Sequence, residues 1–178
     1  MSERVVVRRR WVRPVLVASA GLLLVGGVAT GWMVGRDGGG GRQEVVAERG
    51  RAVMPFDLDR TTHRFTPTAT GGTQDVVADE PGDDAQVRLI RQHLKEEAAA
   101  FGRGDFGDPA SIHGGDMPGL KELTEGYGRV DVRYAERPDG ATLTYTTREP
   151  ALVEALHQWF DAQLGDHGGH AEEGGHAS

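Results

Sequence analysis

The chain contains no cysteine, which excludes disulfides, thiolate metal sites, iron–sulfur clusters and cysteine nucleophiles. Aromatic residues are scarce at 6% and hydrophobic residues reach only 38%, so any core must be small. Enzyme signatures are missing as well. There is no Gly-x-Ser-x-Gly elbow, no His-Glu-x-x-His, no phosphate loop and no dinucleotide fingerprint. No catalytic residue or organic cofactor is therefore indicated, and the expectation leans away from an enzyme. Positive charge is also short. The formal charge is −7, and it hides an asymmetry. Arg4, Arg8, Arg9, Arg10 and Arg13, opposed only by Glu3, make the N-terminus +4 and leave the rest near −11. An acidic body lacks the basic surface that phosphates require, so nucleic acid is not an expected partner.

One long hydrophobic run is present. Val15 to Val34 carries no charge over 20 residues. At about 1.5 Å per residue it reaches roughly 30 Å, the thickness of a bilayer core. The preceding arginines place the N-terminus (residues 1–14) in the cytoplasm by the positive-inside rule. Trp11 and Trp32 bracket the run as interfacial aromatics do. The expectation is a single-pass anchor over residues 15–35 with the folded part extracytoplasmic. A cleaved signal peptide competes, with Val28-Ala29-Thr30 as a weak processing site. Arg8-Arg9-Arg10-Trp11-Val12 loosely matches a twin-arginine signal. Gly27, Gly31 and Gly35 share one helix face and would admit a second helix, so self-association through the anchor is a further expectation.

Residues 36–55 read as a flexible linker, because Gly38 to Gly41 is a glycine run and charged residues follow without a sustained period. Residues 166–178 read as a disordered, histidine-rich tail. The folded domain is then 56–165, and one pattern occurs in it twice. Thr62–Thr68 and Thr73–Ala78 have strand character around a Gly71-Gly72 turn. A helix follows with Val87, Ile90, Leu94, Ala98 and Phe101 on one stripe. Val130, Val132 and Tyr134 alternate, Asp139-Gly140 turns, and Leu143, Tyr145 and Thr147 alternate again. Pro150 then suits a first helical turn, with Val153, Leu156, Phe160 and Leu164 as the stripe. The predicted fold is α+β. It has a four-stranded antiparallel sheet, two main helices on one face, and a transmembrane helix in front. Between the units, 102–128 is a long Gly- and Pro-rich connection with one helical stretch, Gly119 to Glu125. Connections of that length are often functional.

The stretches Phe56-Asp57-Leu58-Asp59-Arg60-Thr61-Thr62-His63-Arg64-Phe65, Ile112-His113-Gly114-Gly115-Asp116-Met117-Pro118-Gly119-Leu120 and Ala155-Leu156-His157-Gln158-Trp159-Phe160-Asp161-Ala162-Gln163 carry a resemblance. Together with Gly71-Gly72-Thr73-Gln74, Gly104-Asp105-Phe106 and Asp166-His167-Gly168 they cover most of residues 56–168. On them the chain resembles a group of small exported bacterial proteins that often carry the automatic name aspartate carbamoyltransferase. The two-domain length and the Ser-Thr-Arg-Thr motif of true carbamoyltransferases are absent here. The resemblance therefore implies a recurring domain and transfers no catalytic residue.

Seven histidines stand where cysteine does not. His167 and His170 form His-x-x-His beside Asp166, with His176 beyond. His63 shares a strand face with Phe65. His113 lies in the long connection close to Met117. His157 and Asp161, and likewise His93 and Glu97, stand one helical turn apart. Imidazoles and carboxylates together suit zinc or copper. The candidate metal ligands are His63, His113, His157, Asp161, His167 and His170, and convergence of His63, His113 and His157 requires the connection to fold over the sheet. Three functions are expected in order: a membrane-anchored module binding copper or zinc, a non-catalytic envelope interaction domain, and an enzyme of the kind the inherited name suggests.

Overall fold

A computed structural model describes residues 38–174. The expected anchor, its Gly27, Gly31 and Gly35 face, and His176 lie outside the described residues. Among the described residues no helix is long and apolar enough to cross a membrane.

The elements follow in chain order as α1 (Gly38–Val53), β1 (Thr61–Thr68), β2 (Gly71–Ala78), α2 (Asp84–Phe101), α3 (Gly107–His113), α4 (Leu120–Gly126), β3 (Val130–Arg137), β4 (Gly140–Thr147), α5 (Pro150–His167) and β5 (Ala171–Glu173). The strands form one sheet in the order β3-β4-β2-β1-β5. Its first four strands pair antiparallel, and β5 runs parallel to β1. The expected four-stranded antiparallel sheet with two main helices is thereby corrected to a five-stranded mixed sheet with five α-helices among the described residues.

Each correction has a local cause. Strand β5 is three residues long, too short for any alternation to register. It exists because α5 ends at Gly168, whose φ of +55° turns the chain back along the free edge of β1. There His63 is paired with Ala171 and Phe65 with Glu173, and the Gly174 N–H donates to the Phe65 carbonyl at 2.8 Å. Most of the segment expected as a flexible linker is helix α1 despite its glycines, each of which costs about 1 kcal/mol in a helix. Tertiary contacts hold it. Val46 is buried, Gln43 donates to the Gly165 carbonyl, and a Cβ at Gly50 would sit 2.8 Å from Leu58 Cδ1. The connection 102–128 carries α3 in addition to the one helix expected there.

The period-2 pattern places Thr61, His63 and Phe65 of β1 opposite Ala78, Val76 and Gln74 of β2, all on one sheet face. Leu143 and Tyr145 of β4 continue that face. Helices α2 and α5 cover it. An aromatic cluster joins the layers. Trp159 of α5 meets Phe101 of α2 edge-on at 5.8 Å and Tyr145 of β4 at 5.8 Å. Such pairs add about 0.5–1.5 kcal/mol each beyond the area they bury. The buried stripe of α5 is Leu152, Ala155, Leu156, Trp159, Phe160, Gln163, Asp166 and His167. It is rotated from the expected Val153–Leu164 line toward α2 and α3, so polar residues near the end of α5 face inward.

Candidate metal centre

The buried stripe of α2 runs through Gln86, Ile90, His93, Leu94 and Phe101. Glu97 lies one turn beyond His93 and is half-buried on the same side. Helix α3 closes over this stripe. It starts after Phe106, which stacks on Phe101 at 4.7 Å, and it buries Pro109, Ile112 and His113. That docking sets Asp108, in the first turn of α3, against α2. One imidazole nitrogen of His93 and one carboxylate oxygen each of Glu97 and Asp108 then lie within 4.8 Å of one another. Among the described residues this is the group of three such side chains close enough to share an ion. His93 and Glu97 are buried deeper, and Asp108 is exposed at the rim.

The three residues share the lining of a cavity of about 20 Å³ with His63, Trp159 and Gln163, among others. That volume accommodates about one water-sized particle. Three buried polar atoms of its lining residues have no hydrogen-bond partner among the described residues: His63 Nδ1, Trp159 Nε1 and Gln163 Nε2. Buried polar groups of this kind are rarely left without a partner.

Burial sets the protonation states. It pushes Glu97 up to about 8, helped by the charge of Asp108 and a hydrogen bond to it, and then by Asp105 and Glu96. Glu97 is therefore protonated at neutral pH, unlike an ordinary carboxylate. Burial lowers the His93 imidazole, against the opposing pull of Asp108 and Glu96. His63 is 1% exposed, and burial, with the nearby His93 and His113, lowers it to about 4. The imidazoles are therefore neutral at physiological pH, as ligation requires.

The residues singled out by sequence separate into three groups. His63, His113 and His167 converge in one buried cluster, since the connection does fold over the sheet end. The His63 and His167 rings stack at 5.1 Å, and His113 meets His167 edge-on at 4.9 Å. His113 Nδ1 is 2.9 Å from Asp166 Oδ2. Asp166 also accepts both Nε and Nη2 of Arg42, whose Nη2 reaches the His113 carbonyl as well. The helix-ending Gly114, at φ +100°, and Gly168 allow the chain to turn immediately after His113 and His167. His157 is elsewhere. Its Nε2 faces the Thr68 and Gly71 carbonyls at 3.1 and 2.9 Å, where it staples α5 to the β1–β2 turn. Asp161 is exposed on α5. His170 is half-exposed, 3.5 Å from Asp59. Met117, near His113 in sequence, is buried in the hydrophobic core.

The triad was half legible. The i, i+4 spacing of His93 and Glu97 is visible in sequence, but Asp108 arrives from a separate helix with no local signal. Trp159 and Gln163 stand at i and i+4 on α5, and neither belongs to the stripe expected there. No family model matches the chain, and neither a curated protein nor a solved structure does.

Proposed function

We propose that this chain is a transition-metal-binding module with zinc as its ion and His93, Glu97 and Asp108 as its ligands. The observation that carries this reading is the meeting of one imidazole nitrogen and two carboxylate oxygens within 4.8 Å, beside a cavity lined by unpartnered buried polar groups. In the absence of metal Glu97 holds a proton, and a divalent ion takes its place. Zinc bonds of about 2.0–2.2 Å set tetrahedral ligand atoms roughly 3.4 Å apart, so the three side chains need draw in by no more than about 1.4 Å on binding. The two carboxylates favour zinc over copper(I), which selects thiolate and thioether ligands. The exposed Asp108 provides the entry. With residues 15–35 as an anchor, the module faces the extracytoplasmic side of the membrane.

Isothermal titration of the full-length chain in detergent micelles tests this. Zinc binds with Kd below about 1 μM, worth about 8 kcal/mol. His93→Ala, Glu97→Gln and Asp108→Asn each weaken it by more than the roughly 10–100-fold that loss of an outer partner costs. His157→Ala leaves it unchanged. Zinc binding no tighter than millimolar, or equal in the wild type and the three ligand variants, overturns the assignment.

A further inference from the structure

The triad supplies three ligands, and a tetrahedral ion takes four. The cavity residues bear on the fourth. Trp159 Nε1 and Gln163 Nε2 are obligate donors, since an indole N–H and an amide NH₂ cannot accept. Both side chains are buried, both come from one face of α5, and neither nitrogen has an acceptor among the described residues. His63 Nδ1 is the third unpartnered nitrogen of the same lining. A fourth ligand from the protein, such as His63, would satisfy one of these atoms and leave the two donors unmatched. An oxygen or a small anion on the ion would satisfy the donors as well, and the cavity of about 20 Å³ has room for one such particle.

We infer that the metal keeps an open fourth position, holding a solvent oxygen that accepts from Trp159 and Gln163 and is exchangeable for a small inorganic anion. This rests on the metal site proposed above and gives that site its ligand class: hydroxide at rest, and in its place a small anion bound through a single atom of that size. Three protein ligands plus one exchangeable oxygen is the arrangement of reactive zinc sites, whereas structural sites are closed by four protein ligands. When an anion enters, the hydroxide takes up a proton from solvent and leaves as water, so the number of ligands on the ion and its charge are conserved.

Cobalt(II) makes the exchange visible, because zinc is colourless and cobalt bands report coordination. The full-length chain in micelles is loaded with cobalt and titrated with sodium azide. The expected result is visible bands of a low-coordinate ion that shift saturably with azide. In Gln163→Leu the azide affinity falls about tenfold, the usual worth of one hydrogen bond in a dry site, and Trp159→Phe acts in the same direction. The azide-free bands of each variant show that the ion is still held, and the wild-type titration stands even if a variant does not fold. Wild-type bands unmoved by azide overturn the open position and leave the metal site in place. An azide shift of equal affinity in all three proteins overturns the role of the two donors. Failure of cobalt to give bound bands sinks the metal site and this inference together.

Discussion

Asp166 is a carboxylate whose burial alone would raise its pKa, yet it is held below its ordinary value by hydrogen bonds from Arg42 and His113 and by their charges. The same carboxylate sets the orientation of the His113 ring, and through it the edge against which His167 packs. It is therefore a structural ion at the back of the histidine cluster, outside the proposed ligand triad. Arg42 is the larger of the two lowering partners, followed by His113; with 55% of the Arg42 side chain exposed, solvent screens part of its charge. Asp166→Asn is expected to lower stability by about 1–3 kcal/mol, the cost of disrupting a buried charge-assisted hydrogen bond, with zinc affinity retained. Urea denaturation reads the first and calorimetric titration the second. A midpoint equal to the wild type's would place Asp166 among solvated surface pairs.

Among the elements, β5 and α1 are the two that local propensity disfavours, and each is held by contacts distant in sequence. Strand β5 is fastened by its pairing with β1, by the Gly174 N–H to the Phe65 carbonyl, and by Arg64 Nε to Glu172 at 2.9 Å. Ending the chain after Gly168 removes these and opens the edge of β1, an exposed template for association. The truncated protein is expected to melt at lower temperature and to self-associate, by calorimetry and light scattering. Its zinc affinity is expected to equal that of the full chain, because the proposed ligands sit on α2 and α3. Affinity lost with the tail would relocate the ion to His170 and His176.

Across the whole molecule, buried groups of opposite type give stability a maximum in pH. The four buried histidines, His63, His93, His113 and His167, all have folded pKa values below the unfolded 6.5, with His63 at about 4, burial being the first cause in each. Between these values the unfolded chain binds more protons, so stability is lost as pH falls below about 6.5. Glu97 does the reverse. Its folded pKa of about 8 exceeds the unfolded 4.5, so the folded state binds the extra proton and stability falls as pH rises toward 8. Where the ranges overlap, four histidines outweigh one glutamate. Stability of the metal-free protein is expected to peak near pH 6.5, and saturating zinc, which binds ionised Glu97, is expected to abolish the decline toward pH 8. Thermal melts from pH 4 to 9, with and without zinc, measure both limbs. A falling limb that survives zinc would detach Glu97 from the ion.

Some of this was legible in sequence because it depends on neighbours along the chain. The β1–β2 and β3–β4 hairpins follow from alternation around Gly71-Gly72 and Asp139-Gly140, and α2 follows from its 3.6-residue stripe, which also carries His93 and Glu97 on one face. The absence of cysteine restricts any metal site to imidazole and carboxylate. Tertiary structure decided the rest, because the deciding contacts join residues far apart in sequence. Asp108 reaches α2 only through the docking of α3. Gln163 lies outside the expected stripe, and Asp166 and His167 fall in the expected tail, until α5 extends to His167 and its rotation turns all three inward. Glycines that argue for a linker become helix when Val46, Gln43 and Arg42 find partners on α5 and beyond. Three tail residues become a strand because β1 leaves an edge unpaired. A periodicity reports which side of an element is apolar, but which polar groups share a cavity is set by the packing of whole elements, where burial rather than spacing determines their protonation and their capacity to hold an ion.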